Sequence, residues 1–207
     1  MPGPRHSQMP RQIKHRFAPV PAMTLATLVA QAAEELRAGC TNVSEPELDA
    51  LTEAIATARR IVAYGCGREG LMMRALAMRL YHLGCDVHMQ GDMSCPPVGK
   101  GDLFLVASGP GRLATVAALI LQAKTAGATI ACITAEPLGP DPLSADLRLV
   151  IPVQTMARDQ TDATSVLPMG SVFEGAMFLI FEILILKLRA RLRESPESMR
   201  ARHTNLE

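Results

Sequence analysis

The chain has 207 residues, 48% of them hydrophobic and 20% charged, with a net charge of +1. That balance suits one globular unit with a sizeable core and excludes a disordered chain. Near-neutral charge gives no footprint for nucleic acid or anionic lipid, and 3% aromatics without Trp leave no stacking platform for single strands.

Residues 1–22 carry five prolines and several basic residues, and the first acid is Glu34. They lack the apolar stretch of a secretory signal and read as a disordered tail, with one domain over 23–207. Apolar residues at helical spacing (Leu25, Leu28, Val29, Ala32, Leu36) predict a helix over 23–39, with Gly39 as its stop. Ser44, three residues before Glu47 and followed by Pro46, reads as a capping box opening a second helix to about Arg60. The two helices predict a hairpin.

An α/β alternation follows. RIVAYG, CDVHMQ, DLFLVAS, ATIACITA and residues 146–150 read as five short strands. Helices are predicted between them over REGLMMRALAMRLYHLG and 113–127. Strands separated by helices of this length imply βαβ units and a parallel sheet covered on both faces. Residues 153–170 have no periodicity and are long for a connector, as functional or mobile loops are. A long helix is predicted over 171–193. Its stretch AMFLIFEILILKL is interrupted by Glu182 and short for a bilayer, so burial in a core or subunit interface is the expectation. Ser195–Pro196 opens a last short helix.

Five scattered cysteines without a CxxC pair suggest reduced thiols in a cytoplasmic protein. No metal-ligand spacing and no G-x-S-x-G elbow is present, so neither metal nor hydrolase chemistry is expected.

Two glycine turns stand where strands feed helices: YGCGREG, with Gly65, Gly67, Arg68 and Glu69, and SGPGR, with Ser108, Gly109, Gly111 and Arg112. Ligands of open parallel sheets bind beyond the strands' carboxyl ends, and helix N-termini there favour anions. GCGREG also fits GxGxxG, but no clear acidic residue follows at the end of the next strand, where only Gln90 and Asp92 offer themselves. Each turn alone could be a bare βα connection. Two at neighbouring strand ends point to a small-anion pocket.

Strand–GxGR–helix, AMRLYHLG, strand–SGxG–helix, GSVFEG and a terminal RARHTNLE together resemble the sugar isomerase (SIS) domain family, and within it the 6-phospho-3-hexuloisomerases, over nearly the whole chain. The resemblance implies a three-layer, flavodoxin-like fold with a five-stranded parallel sheet and a homotetramer. It implies isomerisation between 3-hexulose 6-phosphate and fructose 6-phosphate through an enediolate, without a cofactor. Glu174 in GSVFEG matches the family's base. His203 matches a C-terminal histidine that can reach a neighbouring subunit's site as an auxiliary acid. Proton transfer beside a carbonyl needs such a pair.

Around the turns the sequence departs from the family. Hexuloisomerases resembling it carry GRSG and SGSGET, whose hydroxyls bind phosphate. Glu69 replaces the first serine, and Pro110, Arg112 and Leu113 stand in place of serine, glutamate and threonine. Glu69 adds repulsive charge, Pro110 removes an N–H and Leu113 a hydroxyl, whereas Arg112 adds a forked cation. Ser108, Gly109 and Thr115 remain as donors. A cradle rebuilt around Arg112, with Glu69 paired to Arg68 or Arg112, reconciles these changes. Complete loss of phosphate binding is the opposing reading.

His82 reads as a core hydrogen-bonding residue before a site contact, Asp92 as a sugar contact or a loop cap, and Arg79 as a structural pair. A non-catalytic module that senses a phosphosugar or nucleotide sugar is the rival. The residues before Met23 are too few for a helix-turn-helix, which speaks against an attached regulator. A lyase or deaminase on the same fold shares the proton-abstraction step.

Overall fold

Five strands alternate with helices along the chain except between β2 and β3, which a loop joins, and every strand pairing is parallel. The computed structural model describes residues 23–159 and 164–206. The expected tail over 1–22 therefore lies outside the described residues, as do residues 160–163 of the long loop. In order come α1 (Leu25–Thr41), α2 (Glu45–Thr57), β1 (Ile61–Tyr64), α3 (Gly67–His82), β2 (Val87–Met89), β3 (Leu103–Ala107), α4 (Ala114–Thr125), β4 (Thr129–Thr134), the one-turn α5 (Pro140–Leu143), β5 (Leu147–Val150), α6 (Ser171–Leu192) and α7 (Pro196–Ala201).

The strand order is β2-β1-β3-β4-β5. This is the flavodoxin-like order, in which the direction of strand addition reverses between β1 and β3. Both faces are covered, so the strands are apolar at successive positions and divide their side chains between two cores. Ile61, Ala63, Leu103, Leu105, Ala131 and Ile133 meet α2, α3 and α6 on one face. Val62, Phe104, Val106, Ile130 and Cys132 meet α4 on the other.

Both α1 and α2 lie on α6, which also packs along α3. Thr24 caps α1 by accepting from the Thr27 N–H at 3.2 Å. Gly39 does not stop this helix. It is buried two residues before the end, where a Cβ would lie 2.0 Å from the Val153 side chain, so it allows a close crossing. Ser44 caps α2 by accepting from the Glu47 N–H at 3.4 Å, but the reciprocal half of the expected capping box is missing. The Glu47 carboxylate instead accepts from the Val150 N–H at 2.9 Å, covering part of the exposed edge of β5.

By length and composition α6 could cross a bilayer, with a mean hydropathy of 1.9, but half of that window is buried inside the protein. Phe173, Met177, Ile180, Leu184 and Leu188 fill the core against the sheet. The opposite side exposes Phe178, Leu179 and Leu186. Arg79 of α3 holds Glu182 of α6 at 3.3 Å, as an inter-helix pair.

Candidate functional site at the ends of β1 and β3

Tyr64 at the end of β1 is in register with Val106 near the end of β3, so the two glycine turns emerge side by side at the switch point. In the first turn, a Cβ on Gly70 would lie 2.4 Å from the Gly65 carbonyl oxygen. Only glycine lets α3 start this close to the strand. Gly67, at φ +53°, sits at the start of α3 in the left-handed region.

Arg68 and Glu69 then diverge, because successive helix positions do not face each other. Arg68 turns outward with 67% of its side chain exposed, and its Nε donates to Glu174 Oε2 at 2.6 Å. Glu174 comes from the first turn of α6 and its side chain is only 12% exposed. The expected carboxylate therefore stands at the switch point, held by an arginine from the first glycine turn.

Glu69 turns inward. The expected pairing with Arg68 or Arg112 does not occur. Its Oε2 accepts instead from the Gly109 N–H at 2.9 Å. Gly109 is glycine because a Cβ there would lie 2.6 Å from Glu69 Oε1 and 2.7 Å from the Phe173 ring. Burial pushes the Glu69 carboxyl up to about 7. The Gly109 N–H opposes that rise, and the charge of Glu174 adds to it.

The second turn is closed by another carboxylate that sequence reasoning missed. Asp141 on α5 is buried, and its Oδ2 accepts from Ser108 Oγ at 2.6 Å and from the Leu113 N–H at 2.8 Å. The Gly111 N–H returns to the Ser108 carbonyl at 2.9 Å. Two of the three expected donors, Ser108 and Gly109, thus face the protein's own acids, as does the Leu113 N–H. The only local signal for Asp141 is its place after Gly139–Pro140 in a Pro-started helix. Nothing in that signal ties it to a serine 33 residues earlier.

What remains open lies at the start of α4. Arg112 and Thr115 are exposed there, and Arg112 forms no ion pair among the described residues. First-turn N–H groups of a helix have no partner within it, so α4 adds backbone donors beside Arg112.

The other expected residues fall elsewhere. Asp92, in the turn after β2, is exposed and lies 3.4 Å from Arg74. His82 is buried at the last turn of α3, where its carbonyl accepts from Arg202 at 2.9 Å. His203 is exposed, with its ring 5.1 Å from that of His82. At 1.5 Å per residue, the length of α3 puts these histidines about 20 Å from Arg68. Within one chain, His203 and Glu174 are not brought together.

A separate cavity of about 590 Å³ opens between α1 and the loop after β5, lined by Glu35, Asn42, Gln154, Arg158 and Val172 among others. Ala135 also lines it and donates its N–H to the Gly109 carbonyl at 3.1 Å, so the cavity abuts the second turn. Among the described residues, no group of three or more His, Cys, Asp or Glu side chains gathers as a metal-binding set.

A doubly wound five-stranded sheet with glycine turns at its switch point defines an open α/β protein of the class whose ligands bind beyond the carboxyl ends of the strands. The SIS domain family matches residues 54–176, and the chain belongs to that family. It is 32% identical to 3-hexulose-6-phosphate isomerase of Bacillus subtilis over 185 residues, covering 89% of this chain and 100% of that one. It is 36% identical to the Mycobacterium gastri enzyme of the same name, covering 84% and 87%. Among solved structures, a Methanococcus jannaschii protein for which a function of 3-hexulose-6-phosphate isomerase was inferred superposes with a TM-score of 0.73 at 31% identity, over 87% of this chain and 97% of that one.

Proposed function

We propose that the protein is a sugar-phosphate isomerase working through an enediolate, on 3-hexulose 6-phosphate or a closely related ketose phosphate. Its nearness to proteins of that name over most of the chain supports the substrate class. The observation that carries the chemistry is Glu174, a mostly buried carboxylate held by Arg68 beside the two glycine turns. It takes the proton from the hydroxyl-bearing carbon beside the ketose carbonyl and returns it to the former carbonyl carbon. The hydroxyl proton passes between the two oxygens, so the product is an isomer and nothing else is consumed.

Arg68 keeps the Glu174 carboxylate aimed and balances its charge. Arg112, Thr115, the start of α4 and the backbone of the second turn at Gly109 receive the phosphate end. His203 serves a site in a second copy of the chain, since its own lies at the other end of α3. Exposed Leu71, Met78 and Tyr81 on α3 and Phe178 and Leu186 on α6 offer apolar surface for such copies in a homotetramer. We read 23–207 as one domain of a cytoplasmic protein, in keeping with its free cysteines.

Turnover of fructose 6-phosphate into the 3-ketose tests this reading. Glu174→Gln is expected to lower kcat about 10³-fold while leaving substrate affinity within a few-fold. Equal kcat in variant and parent would remove the base assignment. A second reading, a phosphosugar sensor, draws on one observation: Gly109, Ser108 and Leu113 all donate to carboxylates of the protein itself. Binding of sugar phosphates without turnover in the unmodified protein is the outcome that favours it.

A further inference from the structure

The Gly109 N–H lies at the centre of the second glycine turn, and the Glu69 carboxylate holds it at 2.9 Å. We infer that Glu69 determines which ligands this site accepts: it occupies the anion position from within, and a phosphorylated ligand binds only as Glu69 takes up a proton. This rests on reading the paired turns as the ligand's site, and it goes beyond that reading in making binding proton-linked.

Geometry carries the argument. Glu69 Oε1 and the Phe173 ring both close on Gly109, so the carboxylate is wedged between the second turn and the start of α6. There is no room for a phosphate oxygen and an ionised Glu69 on the same N–H. The charges around it do not favour a second anion. Glu174 faces it from α6 and raises its proton affinity. Arg68, its neighbour on α3, is turned to Glu174. Cys132 on β4 is within electrostatic reach, but burial pushes its thiol up, so it stays neutral. Asp141 on α5 adds further negative charge behind the turn. Arg112, on the turn itself, is exposed and unpaired to acid among the described residues.

Protonation resolves the conflict. A neutral Glu69 holds the Gly109 N–H less tightly than the carboxylate does, no longer repels an anion and can present an O–H, so the residue changes from competitor to donor. Because burial already lifts this carboxyl to about 7, protonating it lowers the affinity little near neutral pH and about tenfold more for each unit above.

The test is calorimetric titration of the full chain with fructose 6-phosphate from about pH 6 to about pH 9, comparing wild type with Glu69→Gln. The ligand's own ionisation cancels in the ratio of the two Kd values. That ratio is expected to be near one at about pH 6, about tenfold at pH 8 and about a hundredfold at pH 9, with wild type taking up about one proton more in paired buffers at pH 8. Glu69→Ser, which supplies a hydroxyl of smaller size, is expected to follow the glutamine variant and covers the case in which glutamine fails to fold. A ratio that stays flat with pH overturns the inference, as does absence of binding in both variants, since Glu69 would then not be the obstacle. Proton-linked binding without isomerisation sinks only the isomerase reading, whereas turnover with a flat ratio sinks only the role given to Glu69.

Discussion

The two glycine turns lie side by side and share a design, yet they do opposite things with it. In the first, glycine allows backbone to touch backbone, and the polar side chain that follows, Arg68, leaves the turn to hold Glu174. In the second, the backbone donors face inward and two carboxylates, Glu69 and Asp141, close on them. One turn sends a charged group outward to Glu174, and the other holds two carboxylates on its own donors. A glycine motif therefore specifies backbone approach, while the ligand it admits depends on which side chains the rest of the fold delivers.

The largest effect that sharpens this contrast is steric. Gly70→Ala sets a Cβ against the Gly65 carbonyl, which cannot move without shifting β1, whereas Gly109→Ala meets the end of the Glu69 side chain and an aromatic ring. Denaturant melts are expected to show a loss of about 3 kcal/mol or more for Gly70→Ala and a smaller one for Gly109→Ala. Equal losses would mean that the two turns are closed by the same kind of contact.

Next comes Asp141→Ala, which strands the buried Ser108 hydroxyl and the Leu113 N–H. A destabilisation of about 2 kcal/mol is expected in the same melts. A neutral result would show that Asp141 does not hold the second turn shut. Smallest is Arg112→Ala. Its side chain is exposed, so stability should be unchanged while the Kd for fructose 6-phosphate rises about five- to tenfold at low salt. Unchanged affinity would remove the arginine from the cradle.

Much of this was legible in the sequence, and the exceptions have a common cause. Five strands and the long helices follow from apolar periodicity, and the Ser44 cap from a local signal. Glu174 came from the resemblance of GSVFEG to its family, and it stands at the switch point. Gly39 was misread as a helix stop because its reason is Val153, more than a hundred residues away in the chain. Glu47 fits a capping box locally, yet it serves the Val150 N–H across the sheet edge. Glu69 and Asp141 form the same kind of long-range contact, with Gly109 and Ser108. Local pattern reports which conformation a segment prefers, and it is silent on which distant donor a carboxylate will meet.

The central claim is that Glu174 moves a proton at carbon beside a sugar-phosphate carbonyl. The most direct measurement is incubation of fructose 6-phosphate with the protein in D2O, followed by NMR of the carbon-bound positions next to the carbonyl. Deuterium entering there with wild type, and not with Glu174→Gln, is the predicted result. Absence of exchange in wild type that binds the sugar phosphate, or exchange that persists unchanged in Glu174→Gln, would contradict it.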